Sequence, residues 1–258
     1  MRRFYENRKR TGKFVVVDGI DGVGKGVFLD TFVEEAKKDR KKVFDVNEFW
    51  KQNEVNPRIN NIIGKFDVVL TSEPTFMGVG KIIRDELIAE NKKYLPLGKF
   101  YPAGMTALAY SIDRRVLYGE LILPLLQAGV DVYQSRSFST SLTYQVQDAQ
   151  DKGENLTIND VLALSGNQYC MRYPMNHLVI PTIQDVEEAV KRSQSREKQD
   201  NCQFEKLDFQ LKLKERYDSA EFKKIFKGLD VPLTYLDAGV SIEYSKQQAR
   251  EFYMKKLR

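Results

Sequence analysis

The stretch Gly19-Ile-Asp-Gly-Val-Gly-Lys25 holds the residue types and the spacing that could do chemistry. Glycines let a backbone turn so that successive N–H groups converge, and at the start of a helix those groups stand at the positive end of the macrodipole. The ligand that fits such a cradle is a polyphosphate, and Lys25 would reach its β- and γ-phosphates as a mobile point charge. The flanks agree. Phe14 to Val17 is a short apolar, β-branched run suited to a buried strand, and Phe28, Leu29, Phe32, Val33 and Ala36 recur at helical spacing behind the loop. One position departs from the pattern. The residue after the lysine ordinarily carries a hydroxyl for Mg2+, and here it is Gly26, followed by Val27.

Other chemistries find less support. The single histidine, His177, lies inside an apolar run, which argues against Ser–His or Cys–His catalysis. Cys170 and Cys202 are far apart and form neither a C-x-x-C pair nor a disulfide framework. The formal net charge of +5 suits anionic small molecules, but 41 basic residues interspersed with 36 acidic ones give no nucleic-acid signature. Glu120 and Gln127 interrupt the most apolar stretch, around 117–126, so no membrane span is expected. The basic segment 1–12 reads as a tail with no signal-peptide core behind it, and the expected location is the cytoplasm.

The elements that must position the loop can be read from the apolar pattern. Four further runs resemble the first, at 67–71, 131–135, 177–181 and 233–237, with helical patterns between them. This alternation predicts a single α/β domain over 13–258, a five-stranded, mostly parallel sheet with helices on both faces. In such sheets ligands bind beyond the carboxyl ends of the strands, where the sequence places Asp18, Ser72 with Glu73, Ser135 with Arg136, and Asp237. A helix from about 102 to 127, stopped by Gly129, carries Leu108, Ala109, Ile112, Val116 and Leu117, most of which are expected in the core. A short helix at 159–165, capped by Asn159, is expected between turns at 153–155 and 166–173. The connection 43–65, with Trp50 and Pro57, is too long for a plain loop and is expected to carry structure of its own, at the edge of the fold or against a partner.

Beyond the loop, several blocks carry a family likeness. They are Thr71-Ser-Glu-Pro-Thr75 running on to Gly80-Lys-Ile-Ile-Arg84, Ala109-Tyr-Ser-Ile-Asp-Arg114, Ile122 through Gly129, and Arg136 with Ser141-Leu-Thr-Tyr-Gln145. Together with the loop, which looks like G-x-D-G-x-G-K, they resemble the thymidylate kinases (dTMP kinases) of the P-loop nucleoside-monophosphate kinase group. The resemblance implies a three-layer P-loop NTPase fold with a small mobile lid at about 192–205. It implies transfer of the γ-phosphoryl group of ATP to dTMP or a related monophosphate, with Mg2+, and a second copy of the chain as the candidate partner in a homodimer. On the donor side it points to Gly19, Ile20, Asp21, Gly22, Val23, Gly24, Lys25 and Gly26, with Arg192 from the lid. On the acceptor side it points to Glu73, Pro74, Tyr110, Arg114, Arg136, Ser141, Tyr144 and Gln145. Lys25, Asp21, Arg136 and Arg196 are the residues it implies for catalysis, and no side chain is assigned as a metal ligand. Tyr110 and Arg114, four apart, would share one helix face, as stacking on a base and reading its edge require.

Four positions depart from the family pattern. Gly26 stands where a metal-binding hydroxyl is usual, Ser135 where an aspartate precedes the arginine, Ser72 where an arginine precedes Glu-Pro, and Gln203 where a lid arginine is expected. Two of these concern one hard cation that prefers oxygen ligands. Adenylate kinases also carry glycine directly after the loop lysine. The alternative expectation is a kinase-like protein that binds nucleotide or a partner with impaired transfer.

Overall fold

The computed structural model describes residues 10–90, 92–96, 99–195, 204 and 206–258. β1 (Phe14–Val17) leads through the glycine loop into α1 (Lys25–Lys38), followed by β2 (Val43–Asp45) and α2 (Val46–Asn53). After a short turn of helix at Ile59–Asn61 come β3 (Val68–Ser72) and α3 (Gly78–Ile82), which widens into a π turn at Ile83–Leu87. α4 (Ala103–Leu117) runs through a second π turn, Tyr118–Ile122, into α5 (Leu123–Gln127). β4 (Asp131–Ser135), α6 (Phe138–Thr140), a third π turn at Ser141–Gln145 and α7 (Val146–Asp151) form the next stretch. Then follow α8 (Ile158–Ala163), α9 (Ser165–Arg172), β5 (His177–Thr182), α10 (Val186–Gln194), α11 (Leu207–Asp218), α12 (Ala220–Gly228), β6 (Leu233–Asp237) and α13 (Ile242–Lys256).

The sheet is parallel throughout, in the order β2-β3-β4-β1-β5-β6. Among the described residues it has six strands, one more than the apolar runs predict. The extra strand is β2, three half-buried residues inside the 43–65 connection, too short to register as an apolar run. Asp45 ends it and caps α2, accepting the Asn47 N–H at 2.8 Å. Trp50 is fully buried and its Nε1–H donates to Asn56 Oδ1 at 3.0 Å, so this connection is a strand and helix packed on the sheet edge.

β1 is covered on both faces, which is why all four of its residues are apolar rather than alternating. On one face Phe32 of α1 packs edge-on against Tyr133 at 6.0 Å and stacks on Phe252 of α13 at 5.5 Å. On the other, Phe14 meets Tyr118 at 5.5 Å. Burying rings of this size stabilises the fold by roughly 1.5–3 kcal/mol each. The carboxyl ends of β1, β3 and β4 are thereby fixed side by side, with Val17 opposite Ser135 and Ser72 opposite Ser135 in register.

Helix α4 reverses one expectation. Leu108, Ile112 and Val116 are exposed, while the buried face carries Tyr110, Asp113, Arg114 and Leu117. The polar groups of this face are paired inside, Asp113 accepting from Thr75 and Arg114 pairing with Glu73. The 166–173 stretch is helical rather than a turn, and Thr157, not Asn159, caps the helix before it, through a capping box with Asp160. Gly166 lets α9 approach α4 closely: a Cβ there would stand 1.8 Å from the Ser111 carbonyl oxygen.

Candidate active site

The glycine loop is built as a cradle. Gly24 is the N-cap of α1 at φ 94°, and among the described residues no side chain caps the helix, so its first amides are left for a ligand. A Cβ on Gly24 or Gly26 would meet nothing within 4 Å among the described residues, which leaves room for a ligand. Gly22 serves packing instead. At φ +73° its missing Cβ would stand 1.7 Å from the Ala189 carbonyl oxygen of α10, so that helix lies directly on the loop. Lys25 folds back over the loop, its Nζ donating to the carbonyls of Gly19 at 3.0 Å and Ile20 at 2.7 Å, with Asp21 Oδ1 at 3.7 Å.

Two charged groups meet across the strand ends. Arg136, just beyond β4, ion-pairs with Asp21 of the loop, and its guanidinium lies 4.9 Å from the centre of the Tyr144 ring. Arg136 holds a left-handed backbone, φ 65°, with its N–H donated to Val17 at 3.0 Å. Such a conformation is unfavourable for a side-chain-bearing residue and persists where the surroundings fix it. Burial acts to raise the Asp21 carboxyl, but the Arg136 and Lys25 cations outweigh it and hold the group below its ordinary value.

These groups open onto a cavity of about 550 Å³, whose wall also includes Gly26, Ser72, Glu73, Pro74, Arg84, Tyr110, Ser135, Tyr144 and Phe204. Behind the wall lies a buried polar floor. Arg114 is 1% exposed and pairs with Glu73 Oε2 at 2.7 Å, also donating to Asn167 and to Ser141 Oγ at 3.2 Å. Burial pushes the Glu73 carboxyl up to about 7, with the Arg114 guanidinium pulling the other way. Gln134 extends the floor, donating to Glu73 at 3.2 Å and to the Arg136 carbonyl at 2.8 Å.

The structure thus brings together Lys25, Asp21, Arg136, Tyr110 and Tyr144 at one cavity, with Glu73 and Pro74 in its wall. Arg114 and Ser141 stand behind the wall rather than on it. Gln145 is buried, and among the described residues neither end of its amide has a partner. Arg192 turns away from the cavity, bonding the Ala238 carbonyl at 3.1 Å and Glu188. Arg196, Gln203 and Cys202 lie outside the described residues.

Several contributors gave weaker signals in the sequence. Asp18, fully buried under the loop, accepts from Gly19 N–H at 2.8 Å, Thr140 Oγ1 at 2.8 Å and Tyr217 at 3.0 Å, and also from Ser139. Its signal was a charge directly after an apolar strand. Ser72 donates to Asn47 Oδ1 of α2 at 2.7 Å, so the added edge unit reaches the cavity wall. Arg84 lies 3.9 Å over the Phe76 ring, and both line the cavity.

A parallel sheet of this order, with an uncapped helix behind a glycine loop at the end of its central strand, defines a P-loop kinase-type α/β protein. Comparison with known proteins narrows the class. The family model described as thymidylate kinase matches residues 58–248. The chain belongs to the thymidylate kinase family. It is 29% identical over 205 residues to a probable thymidylate kinase of Thermococcus onnurineus, covering 79% of this chain and 82% of that one. A thymidylate kinase of Halalkalibacterium halodurans is 28% identical over 209 residues, 80% of this chain and 81% of that one. A probable thymidylate kinase of Thermococcus gammatolerans is 31% identical over 134 residues, 52% of each chain. The family match begins beyond the glycine loop, so the loop's role rests on its own geometry. Among the described residues, no helix is long and apolar enough to cross a membrane.

Proposed function

We propose that this chain transfers the γ-phosphoryl group of ATP to a deoxynucleoside monophosphate, with dTMP as the preferred acceptor. The observation that carries the reading is the meeting of Lys25, Asp21 and Arg136 in a cavity whose wall also includes Tyr110. Family membership and the names of the relatives support the choice of acceptor.

Phosphoryl transfer asks a protein for positioning and charge stabilisation more than for covalent chemistry. In this reading the outward amides of the loop take the phosphates of ATP, and Lys25 exchanges its two carbonyl partners for phosphate oxygens. Arg136 offers a planar fork of donors to the acceptor phosphate, and Asp21 orients that fork. Tyr110 supplies a flat face for the base. Arg114 acts from behind, holding Glu73 and the wall it belongs to.

The residues present fit a magnesium ion carried largely by phosphates and water. Among the described residues no group of three or more His, Cys, Asp and Glu could hold a metal, and Gly26 offers no hydroxyl. Ser135 and Asp21, both on the cavity wall, would contact it or its waters. When bound, Mg2+ supplies charge neutralisation on the transferring phosphates.

A second copy of the chain is the proposed partner. Met105, Leu108, Ile112 and Val116 form an exposed apolar stripe on α4 that a two-fold contact would bury, and light scattering of the purified protein checks it. The test of the function is an ADP-release assay with ATP, Mg2+ and each common monophosphate. Turnover is expected, greatest with dTMP. ATP binding without turnover with any acceptor would instead mark a kinase-like binding protein.

A further inference from the structure

We propose that Gln210 of α11 is a positioning residue that fixes the orientation of the Asp21 carboxylate for phosphoryl transfer. The proposal rests on reading the cavity as a kinase site. Gln210 is fully buried. Its Oε1 accepts the Asp21 backbone N–H at 2.8 Å, and its Nε2 donates to Asp21 Oδ2 at 3.2 Å and to the Phe204 carbonyl at 2.8 Å.

A side-chain amide presents an acceptor and two donors on one rigid plane, so it can hold the main chain and the carboxylate of the same residue at once. That double grip leaves Asp21 little rotational freedom. Oδ2 is occupied by Gln210, and Oδ1 is the oxygen that faces both Arg136 and Lys25. The two carboxylate oxygens therefore have separate tasks, one anchored and one presented to the cations. The third bond ties this grip to the cavity wall. Phe204 stacks on Phe209 at 5.1 Å and meets Tyr144 edge-on at 5.9 Å, and Tyr144 lies beneath Arg136. A displaced Asp21 would release Arg136 from its orientation. Errors of about 1 Å in such a site can cost about a hundredfold in rate.

The test uses the full chain, first assayed for transfer from ATP to the common monophosphates. Gln210→Met keeps length and removes all three bonds. Its kcat should fall about tenfold, with KM for ATP and acceptor within about twofold of the parent. In an Asp21→Ala background the same change should cost nothing further, because Gln210 acts through Asp21. Hydrogen exchange at the Asp21 amide, read by NMR without nucleotide, should accelerate in Gln210→Met. Assayed at a pH where the new carboxyl is ionised, Gln210→Glu can still accept that N–H but cannot donate to the carboxylate, so it should keep the amide protected while lowering kcat at least as far. It carries the test if the methionine variant does not fold. An unchanged kcat, independent losses in the double variant, or unchanged Asp21 exchange in Gln210→Met overturns the proposal. If the parent transfers no phosphoryl group, the functional reading fails, and the exchange measurement alone still decides whether Gln210 holds Asp21.

Discussion

Replacing Arg136 by methionine keeps the reach of the side chain and removes its charge. The guanidinium and the Asp21 carboxylate are 20% and 16% exposed, so water screens the pair only in part. Two such charges about 4 Å apart attract by about 4 kcal/mol at an effective dielectric of ~20, and desolvating them cancels most of that. Asp21 would keep Lys25 at 3.7 Å and the Gln210 amide, so the variant is expected to lose only about 1–3 kcal/mol of stability. The loss should depend on pH. Because the folded Asp21 pKa lies below its ordinary 3.8, the carboxylate contributes stability above that value and loses it as pH falls through the folded pKa. Without Arg136 this depression shrinks. The gap between parent and variant in urea unfolding should be widest near neutral pH and should narrow as pH falls below 3.8 toward the folded pKa. Activity should suffer more than stability, because the fork that would clamp the acceptor phosphate is gone. A fall of about 10²–10³ in kcat/KM for the monophosphate is expected. A variant within twofold of the parent in kcat/KM, or a stability gap that does not narrow at all as pH is lowered from about 7 to the acid limit of the fold, would refute the reasoning.

Three further outcomes follow from the same geometry. Gly22→Ala would push a methyl group onto the Ala189 carbonyl at a positive φ; circular-dichroism melting should show a loss of more than about 2 kcal/mol, with weaker ATP binding by calorimetry. Gly26→Ser with Ser135→Asp should be accommodated, since a Cβ at Gly26 meets nothing within 4 Å. It should raise kcat at limiting Mg2+ if metal placement limits the rate, and an unchanged Mg2+ dependence would remove that explanation. Arg114→Met would leave the buried Glu73 without its cation, and chemical denaturation should show a loss of about 3–5 kcal/mol, larger than for Arg136→Met because the pair is fully buried.

What the sequence disclosed, and what it withheld, divides along physical lines. β1, the glycine loop and α1 were legible because apolar run, glycine spacing and helical period all agree over about 25 residues. Arg136 and Tyr144, which the family likeness singles out, line the cavity. β2 was hidden because an edge strand of three half-buried residues leaves no apolar pattern. The inward face of α4 was misassigned because periodicity reports which stripe is apolar, not which is buried. There the buried stripe carries Asp113 and Arg114, satisfied by Thr75 and Glu73 from distant strand ends. Gln210 gave no signal at all. Its partners, Asp21 and Phe204, are fixed by tertiary packing that no local spacing encodes.

In the proposed function the loop and the arginine beyond β4 act on one transferring phosphoryl group. The most direct test incubates the protein with dTMP and ATP labelled in its γ-phosphate, beside a Lys25→Met control. Label should appear in dTDP with the parent and fall by orders of magnitude with the control. Label confined to ATP and inorganic phosphate, or equal transfer by parent and control, would contradict it.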